Sequence, residues 1–314
     1  MRASALSRNK PVMIALAVVA VVFGVIPLFA TKYQVSVANE IIIFALFAMC
    51  IDILAGFAGR TSLGHGAIFG ASTYVVVYWT AVMGGSPWTG MLLGILASTL
   101  LAAVFGLLAS RVTDVYFLLL TLALGMIFWG VALRWTSVSG GENGLRGVGR
   151  PEILADPIVF FYVCLGVVLV GSALIWRFVH SPFGLTLRGI RDSDSRMRSL
   201  GYACGFHMFV AFTVTGFFAG VAGALYALFN NFVSPSTVEL SQSVEGLLMA
   251  IVGGVGTLFG SFIGAAAIVL LENIVSMYTE RWPMVLGLMF IVTMVVAPEG
   301  VLGAFRKIGR KKAS

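Results

Sequence analysis

The sequence predicts an all-α polytopic membrane protein with about ten transmembrane segments, one pair of them broken or re-entrant. Three observations carry this. Hydrophobic residues make up 59% of the chain and charged residues only 11%, against roughly a quarter charged in a soluble domain. The mean hydropathy is +1.01. The apolar runs reach the length, about 20 residues, that a helix needs to cross a bilayer. A β-barrel would show short alternating segments instead. The 37 glycines fit a helical reading, because small residues let membrane helices approach closely.

The first element follows MRASALSRNK and runs to Ala30. Its apolar stretch is long for a signal peptide and reads as a retained transmembrane helix. The spans are then 12–30, 37–58, 63–83, 90–110, 115–135, 157–178, 208–229, 244–275 and 283–303. Residues 1–11 form a cytoplasmic tail, 12–303 a single transmembrane domain with a cytoplasmic loop at 181–205, and 304–314 a basic cytoplasmic tail. Arg2, Arg8 and Lys10 before the first span and FRKIGRKKAS at the end place both termini in the cytoplasm by the positive-inside rule. Two ends on one side require an even number of crossings, and the spans above are odd in number.

The oddity points at 244–275, too long for one ordinary span and short for two. It holds GGVG at 253–256, then Gly260 and Gly264. Each glycine weakens a helix by about 1 kcal/mol relative to alanine, so a break is expected near Gly253–Gly256. Freed backbone is tolerated only where protein buries it or a cavity receives it, which makes Gly253 and Gly254 candidates for a translocation pathway. The competing reading is one long tilted helix with a glycine packing face. With the break, the turns at Arg60, at Arg111–Asp114 and at 179–207 fall on the cytoplasmic side and 135–156 outside.

The net charge of +7 resides mostly in chain ends and short loops, which suits orientation in a membrane; no nucleic-acid motif accompanies it. Cys50, Cys164 and Cys204 show no metal spacing or pairing pattern, and the first two fall in apolar spans as free thiols. The exception to charge avoidance is internal. LTLRGIRDSDSRMRSLGYACG, 185–205, concentrates Arg188, Arg191, Asp192, Asp194, Arg196 and Arg198. After the turn at SPFG, residues Leu185 to Leu200 can form one short amphipathic helix, stopped at Gly201. Such a helix rests on lipid, spans solvent, or docks a soluble partner. Mixed charge argues against a pure lipid anchor, which favours lysine and arginine alone.

Several blocks carry a resemblance. SPFGLTLRGIRDSDSRMRSLGY followed by FTVTGFFAGVAGALYALF looks like the permease subunits of ABC importers, most closely the branched-chain amino acid permease family, the LivM-type subunit. GRTSLGHGAIFGASTY (60–75) resembles that family's GQxSLGHAxFxxxGAY. YFLLLTLALGMIFWGVALRWTSVSGGENGL (116–145) resembles YFxxxTLAFxEI…TGGxNG. FVSPSTVELSQSVEGLLMAIVGGVGTLFGSFIGA (232–265) resembles FVSPxxFxxxxSIExLLMVVLGGxGSxxGPxxGA. The resemblance runs from about residue 40 to 300 and implies an ABC importer permease fold. It implies that 185–205 is a coupling helix seated on a cytoplasmic ATPase subunit. It further implies two such ATPases carrying ATP and Mg, a second permease of similar fold, and an extracytoplasmic solute-binding protein, all in a bacterial-type inner membrane. The family often has small alanines where this chain has Arg196 and Met197; Gly201 is retained.

Polar groups inside a bilayer are costly and often functional. Asp52 stands in AMCIDILAG, where the family resemblance leads one to expect asparagine; it is a pathway residue or a structural contact. Ser62 and His65 stand where the chain re-enters the membrane, His65 as a gate or a packing residue. Glu245 lies near the outer mouth or caps the short helix. Thr121 is a further pathway candidate, although Thr121, Thr213 and Thr215 can all bond back to their own helices. There is no GxxxxGK[ST], HExxH or GxSxG, so the chain should neither hydrolyse ATP nor bind a cofactor of its own. Two functions follow: the translocation subunit of an ATP-driven importer for branched-chain or related hydrophobic amino acids, or for urea, amides, aromatic or organic acids; or a self-sufficient secondary transporter.

Overall fold

Prolines and hydroxyl side chains set where the helices begin. The computed structural model describes residues 2–147, 149–279, 281–296 and 300. The first helix, α1 (Arg2–Phe29), extends back through the expected N-terminal tail. In α2 (Lys32–Asp52), Thr31 accepts from the Gln34 N–H while the Gln34 side chain accepts from the Thr31 N–H, a reciprocal cap. A π-helical turn, Ile53–Phe57, continues it. Next come α3 (His65–Ala81), α4 (Pro87–Ala109) with proline at its first turn, α5 (Asp114–Arg134) and the single turn α6 (Thr136–Ser139). Asp156 caps α7 (Pro157–Val179) by accepting from the Ile158 N–H.

The charged loop differs from the single helix expected over Leu185–Leu200. It folds as two helices, α8 (Pro182–Asp192) and α9 (Asp194–Ser199). The reason is local. Ser193 is extended, at φ −167° and ψ 101°, and its hydroxyl accepts from the Arg196 N–H, so it ends one helix and caps the next. Gly201 follows at φ +86°, a left-handed position suited to glycine. Then come α10 (Cys204–Asn230), α11 (Leu240–Gly253), α12 (Gly260–Val275) and α13 (Trp282–Val296). The long tilted helix over 244–275 is not formed. Its chain breaks between Gly253 and Gly260, with Gly254 at φ +114° and Gly256 at φ +79°. The basic tail 304–314 and the end of the last expected span lie outside the described residues.

Among the described residues, five helical stretches are long and apolar enough to cross a membrane: Lys32–Phe57, Pro87–Ala109, Asp114–Arg134, Pro157–Val179 and Cys204–Asn230. Shorter apolar stretches are Ala15–Pro27, Leu240–Gly253, Gly260–Val275 and Met284–Thr293. Helix α2 is the hub. From Ile41 to Asp52 its side chains are all buried, packed by α7, α10, α11 and α12. Helices α3, α4 and α10 form a second packed group, where Ser72 donates to the Gly220 carbonyl at 2.7 Å and Thr73 to that of Gly223 at 3.0 Å. By contrast α4 and α5 leave rows of leucine and valine exposed, as a lipid-facing surface requires.

The two ends of the molecule differ. At one, the connections near Arg60, Val112 and Asp194 meet. At the other, Leu145–Arg146 pairs antiparallel with Phe232–Val233. There Arg150 caps α10, donating to the Leu228 and Phe229 carbonyls at 2.8 and 2.9 Å, with its guanidinium over Phe160.

Candidate functional site

Two arrangements stand out, one at each end. The first joins the charged loop to the helix break. From α8, Arg191 Nη1 donates to the Gly56 carbonyl in the π-helical turn at 2.6 Å, and the Arg188 guanidinium lies 4.9 Å from the Phe57 ring centroid. One turn earlier, Asp52 is fully buried. Its two carboxylate oxygens accept from the Gly256 N–H at 2.6 Å and the Leu258 N–H at 2.9 Å, both in the break before α12. Gly56 faces Gly256 so closely that a Cβ on Gly56 would meet both the Gly256 backbone and Asp52. Gly253 likewise leaves no room for a side chain against Gly260. A turn that lacks regular α-helical pairing is a common place for function, and here it stands between the loop and the break.

Arg60 completes this end. It is 6% exposed, donates to the Val112 carbonyl at 2.5 Å and pairs with Asp194 at 3.5 Å. Asp194 also receives Arg198 at 3.1 Å. Burial pulls the Asp194 carboxyl upward, but hydrogen bonds from Arg198 and Cys204 and the charges of Arg198 and Arg60 outweigh it and hold the group below its ordinary value. Asp192 and Arg196 point to solvent. Beside them lies a groove of about 530 Å³ lined by Pro182, Leu185, Met197, Leu200 and Tyr202 among others.

Re-entry into the core depends on Ser62, His65 and Thr121. Thr121 accepts from the Leu63 N–H at 3.1 Å and donates to the Leu118 carbonyl. His65 is fully buried, 3.0 Å from Ser62 Oγ through Nδ1 and 3.0 Å from Thr215 Oγ1 through Nε2. Thr215 donates to the Phe212 carbonyl and therefore accepts from Nε2–H; Ser62 then donates to Nδ1. In this order the ring is neutral and both of its nitrogens are engaged. Thr213 bonds back to Phe209.

The second arrangement is a chamber of about 640 Å³ between α2, α10, α11, α12 and α13. Glu245 lines it, as do Glu40 and Glu272, which the sequence reading passed over. Their signal was present in ANEIIIF and VLLENIV, acids set in apolar runs, but each lies near a span boundary, where an acid is unremarkable. Glu245 stands about 12 Å along α11 from the break and Glu272 about 18 Å along α12, at about 1.5 Å per residue. The chamber therefore lies toward the ribbon end, away from the charged loop. Of the pathway candidates, Glu245 lines this chamber, Asp52, Gly253 and Gly254 belong to the break, and Ser62, His65 and Thr121 belong to the packed re-entry.

Comparison with known proteins fits this architecture. The family model described as branched-chain amino acid transport system / permease component matches residues 33–296, from the start of the hub helix to the last described helix. The high-affinity branched-chain amino acid transport system permease protein LivM of Salmonella typhimurium LT2 is 25% identical over 322 aligned residues, covering 94% of this chain and 75% of the relative. Its counterpart in Escherichia coli K12 is 24% identical with the same coverage. No solved structure matches the chain. With the buried hub, the re-entry and the broken helix pair all inside the matched region, the chain belongs to the branched-chain amino acid transport system / permease component family.

Proposed function

We propose that this chain is the translocation subunit of an ATP-driven importer of branched-chain or related hydrophobic amino acids. It works by alternating access, and separate cytoplasmic ATPase subunits supply the energy. Family membership supports the transport task. The observation that carries the coupling is the contact chain from α8 through Arg191 to Gly56, and from Asp52 to Gly256 and Leu258. A push on the charged loop is carried to the π-helical turn that ends the hub helix and on to the break before α12. The groove beside Leu185, Leu200 and Tyr202, next to the exposed Asp192, Arg196 and Arg198, suits a soluble partner by shape and charge.

In this reading α1, α2, α3, α4, α5, α7, α10, α11, α12 and α13 make ten passages, with α11 and α12 as a re-entrant pair. The charged loop and both termini face the cytoplasm of a bacterial-type inner membrane. The chain carries no ATPase site; ATP and Mg belong to two partner subunits. A second permease and an extracytoplasmic binding protein complete the complex. A self-sufficient secondary transporter is the other reading, favoured by the acidic chamber, whose carboxylates suit ion coupling.

Reconstitution separates them. In proteoliposomes the full complex should accumulate leucine only with ATP, and the chain by itself should not. Robust uptake by the chain alone, unaffected by ATPase subunits, overturns the importer reading.

A further inference from the structure

The acidic chamber has three kinds of wall. Glu40, Glu245 and Glu272 line it together, and none forms an ion pair among the described residues. Glu40 accepts from Asn273 Nδ2 at 3.3 Å. Half-buried acids without an ion pair are costly within a membrane unless something positive visits them. The second wall is a donor. Gln242 lines the same chamber, is only 9% exposed, and its Nε2 has no hydrogen-bond partner among the described residues. It lies three positions before Glu245, on the same face of α11. A buried donor left unmatched is costly, so this amide can receive an acceptor, of opposite sense to the group the glutamates would receive. The third wall is apolar, with Phe44, Leu248 and Leu286 buried around it.

We propose that this chamber is the membrane binding station for an aliphatic α-amino acid zwitterion: Glu245, Glu272 and Glu40 receive the ammonium group, Gln242 Nε2 receives the carboxylate, and the Phe44–Leu248–Leu286 wall receives the side chain. This deepens the import reading and rests on it for the choice of solute. A bare metal cation would need a tight shell of oxygens; a chamber of about 640 Å³ with an apolar wall has the size and composition of a small-molecule site.

The test uses the purified complex, without its solute-binding protein, in phosphatidylglycerol nanodiscs, so that no lipid amine competes. The probes are leucine, isoamylamine (no carboxylate) and 4-methylpentanoate (no ammonium). Leucine and isoamylamine should bind and 4-methylpentanoate should not. Glu245→Gln and Glu272→Gln should each weaken leucine and isoamylamine by about ten- to a hundredfold, the range for losing one charged partner. Glu245→Asp, which keeps the charge, should retain binding and so separates lost charge from lost fold. Gln242→Leu should weaken leucine and spare isoamylamine. The proposal is overturned if both glutamine variants bind leucine normally, if 4-methylpentanoate binds as well as leucine, or if sodium binds there and no amine displaces it. ATP-driven leucine uptake is measured in parallel. Absent uptake by the wild-type complex, with glutamate-dependent amine binding intact, sinks the import reading and leaves the ammonium station standing. Normal uptake with unaltered binding in the variants sinks the station alone.

Discussion

Asp52 answers two donors, and its amide counterpart can answer one. Both of its oxygens accept backbone N–H groups across the helix break, a small anion-receiving concavity of the kind that successive N–H groups form. Asp52→Asn keeps the volume but turns an NH₂ toward one of those donors, leaving it buried and unmatched. The expected loss is about 1–3 kcal/mol, with a larger loss for Asp52→Ala; thermal unfolding in detergent reads it, and an unchanged midpoint for both variants contradicts the role. Asp194 gives a second residue-level prediction. Its folded value lies below the ordinary carboxylate value, so its contribution is complete above the unfolded value, about pH 4, and is lost as pH falls through the folded value. The gap in melting temperature between wild type and Asp194→Asn should therefore be widest near neutral pH and close in acid. A gap that widens in acid contradicts the sign. The pair is partly exposed, so solvent screening keeps the effect small.

At the scale of elements, the charged loop divides its arginines by direction. Arg188 and Arg191 turn inward to Phe57 and Gly56, while Arg196 and Arg198 face outward on α9. Arg188→Glu with Arg191→Glu should therefore leave ATPase subunits bound but reduce the leucine carried per ATP hydrolysed. Arg196→Glu should instead reduce co-purification of the ATPase. If the inward pair abolishes association and the outward residue has no effect, the division is wrong. The sequence made the loop legible as a charged, amphipathic segment because leucines and arginines alternate at helical spacing. It did not make legible which arginines reach back into the core, because that depends on Gly59, at φ +70°, leaving room for the Arg191 side chain on its way to the Gly56 carbonyl. The broken helix was legible from clustered glycines, whose backbone cost is local. The joint at Ser193 was not, although a serine three residues before an N–H donor in a polar run is a cap signal. Glu40 and Glu272 were visible as letters, but their meeting with Glu245 is a tertiary fact: α2, α11 and α12 bring together residues more than 200 positions apart.

The whole molecule is asymmetric along the helix axes, and that asymmetry can be tested without knowing the solute. The three connections near Arg60, Val112 and the charged loop are in physical contact: Arg60 touches both Val112 and Asp194, and Arg191 touches Gly56. Segment 135–156 lies at the other end, joined by strand pairing to Phe232–Val233 and by Arg150 to the close of α10. The chamber lies toward this ribbon end and the contact chain from Arg191 to Gly256 lies at the loop end, so the import reading requires the ribbon outward and the loop inward. The native thiols help the measurement, because Cys50, Cys164 and Cys204 are all buried and give little background. A cysteine at Arg196 should react with a membrane-impermeant maleimide in inverted vesicles and stay protected in right-side-out ones. A cysteine at Ile153, which is 74% exposed, should do the reverse. Should Arg196→Cys label only from outside, the ATPase would have no access to α8 and α9, and the contact chain from Arg191 to Gly256 would have to serve some purpose other than energy coupling.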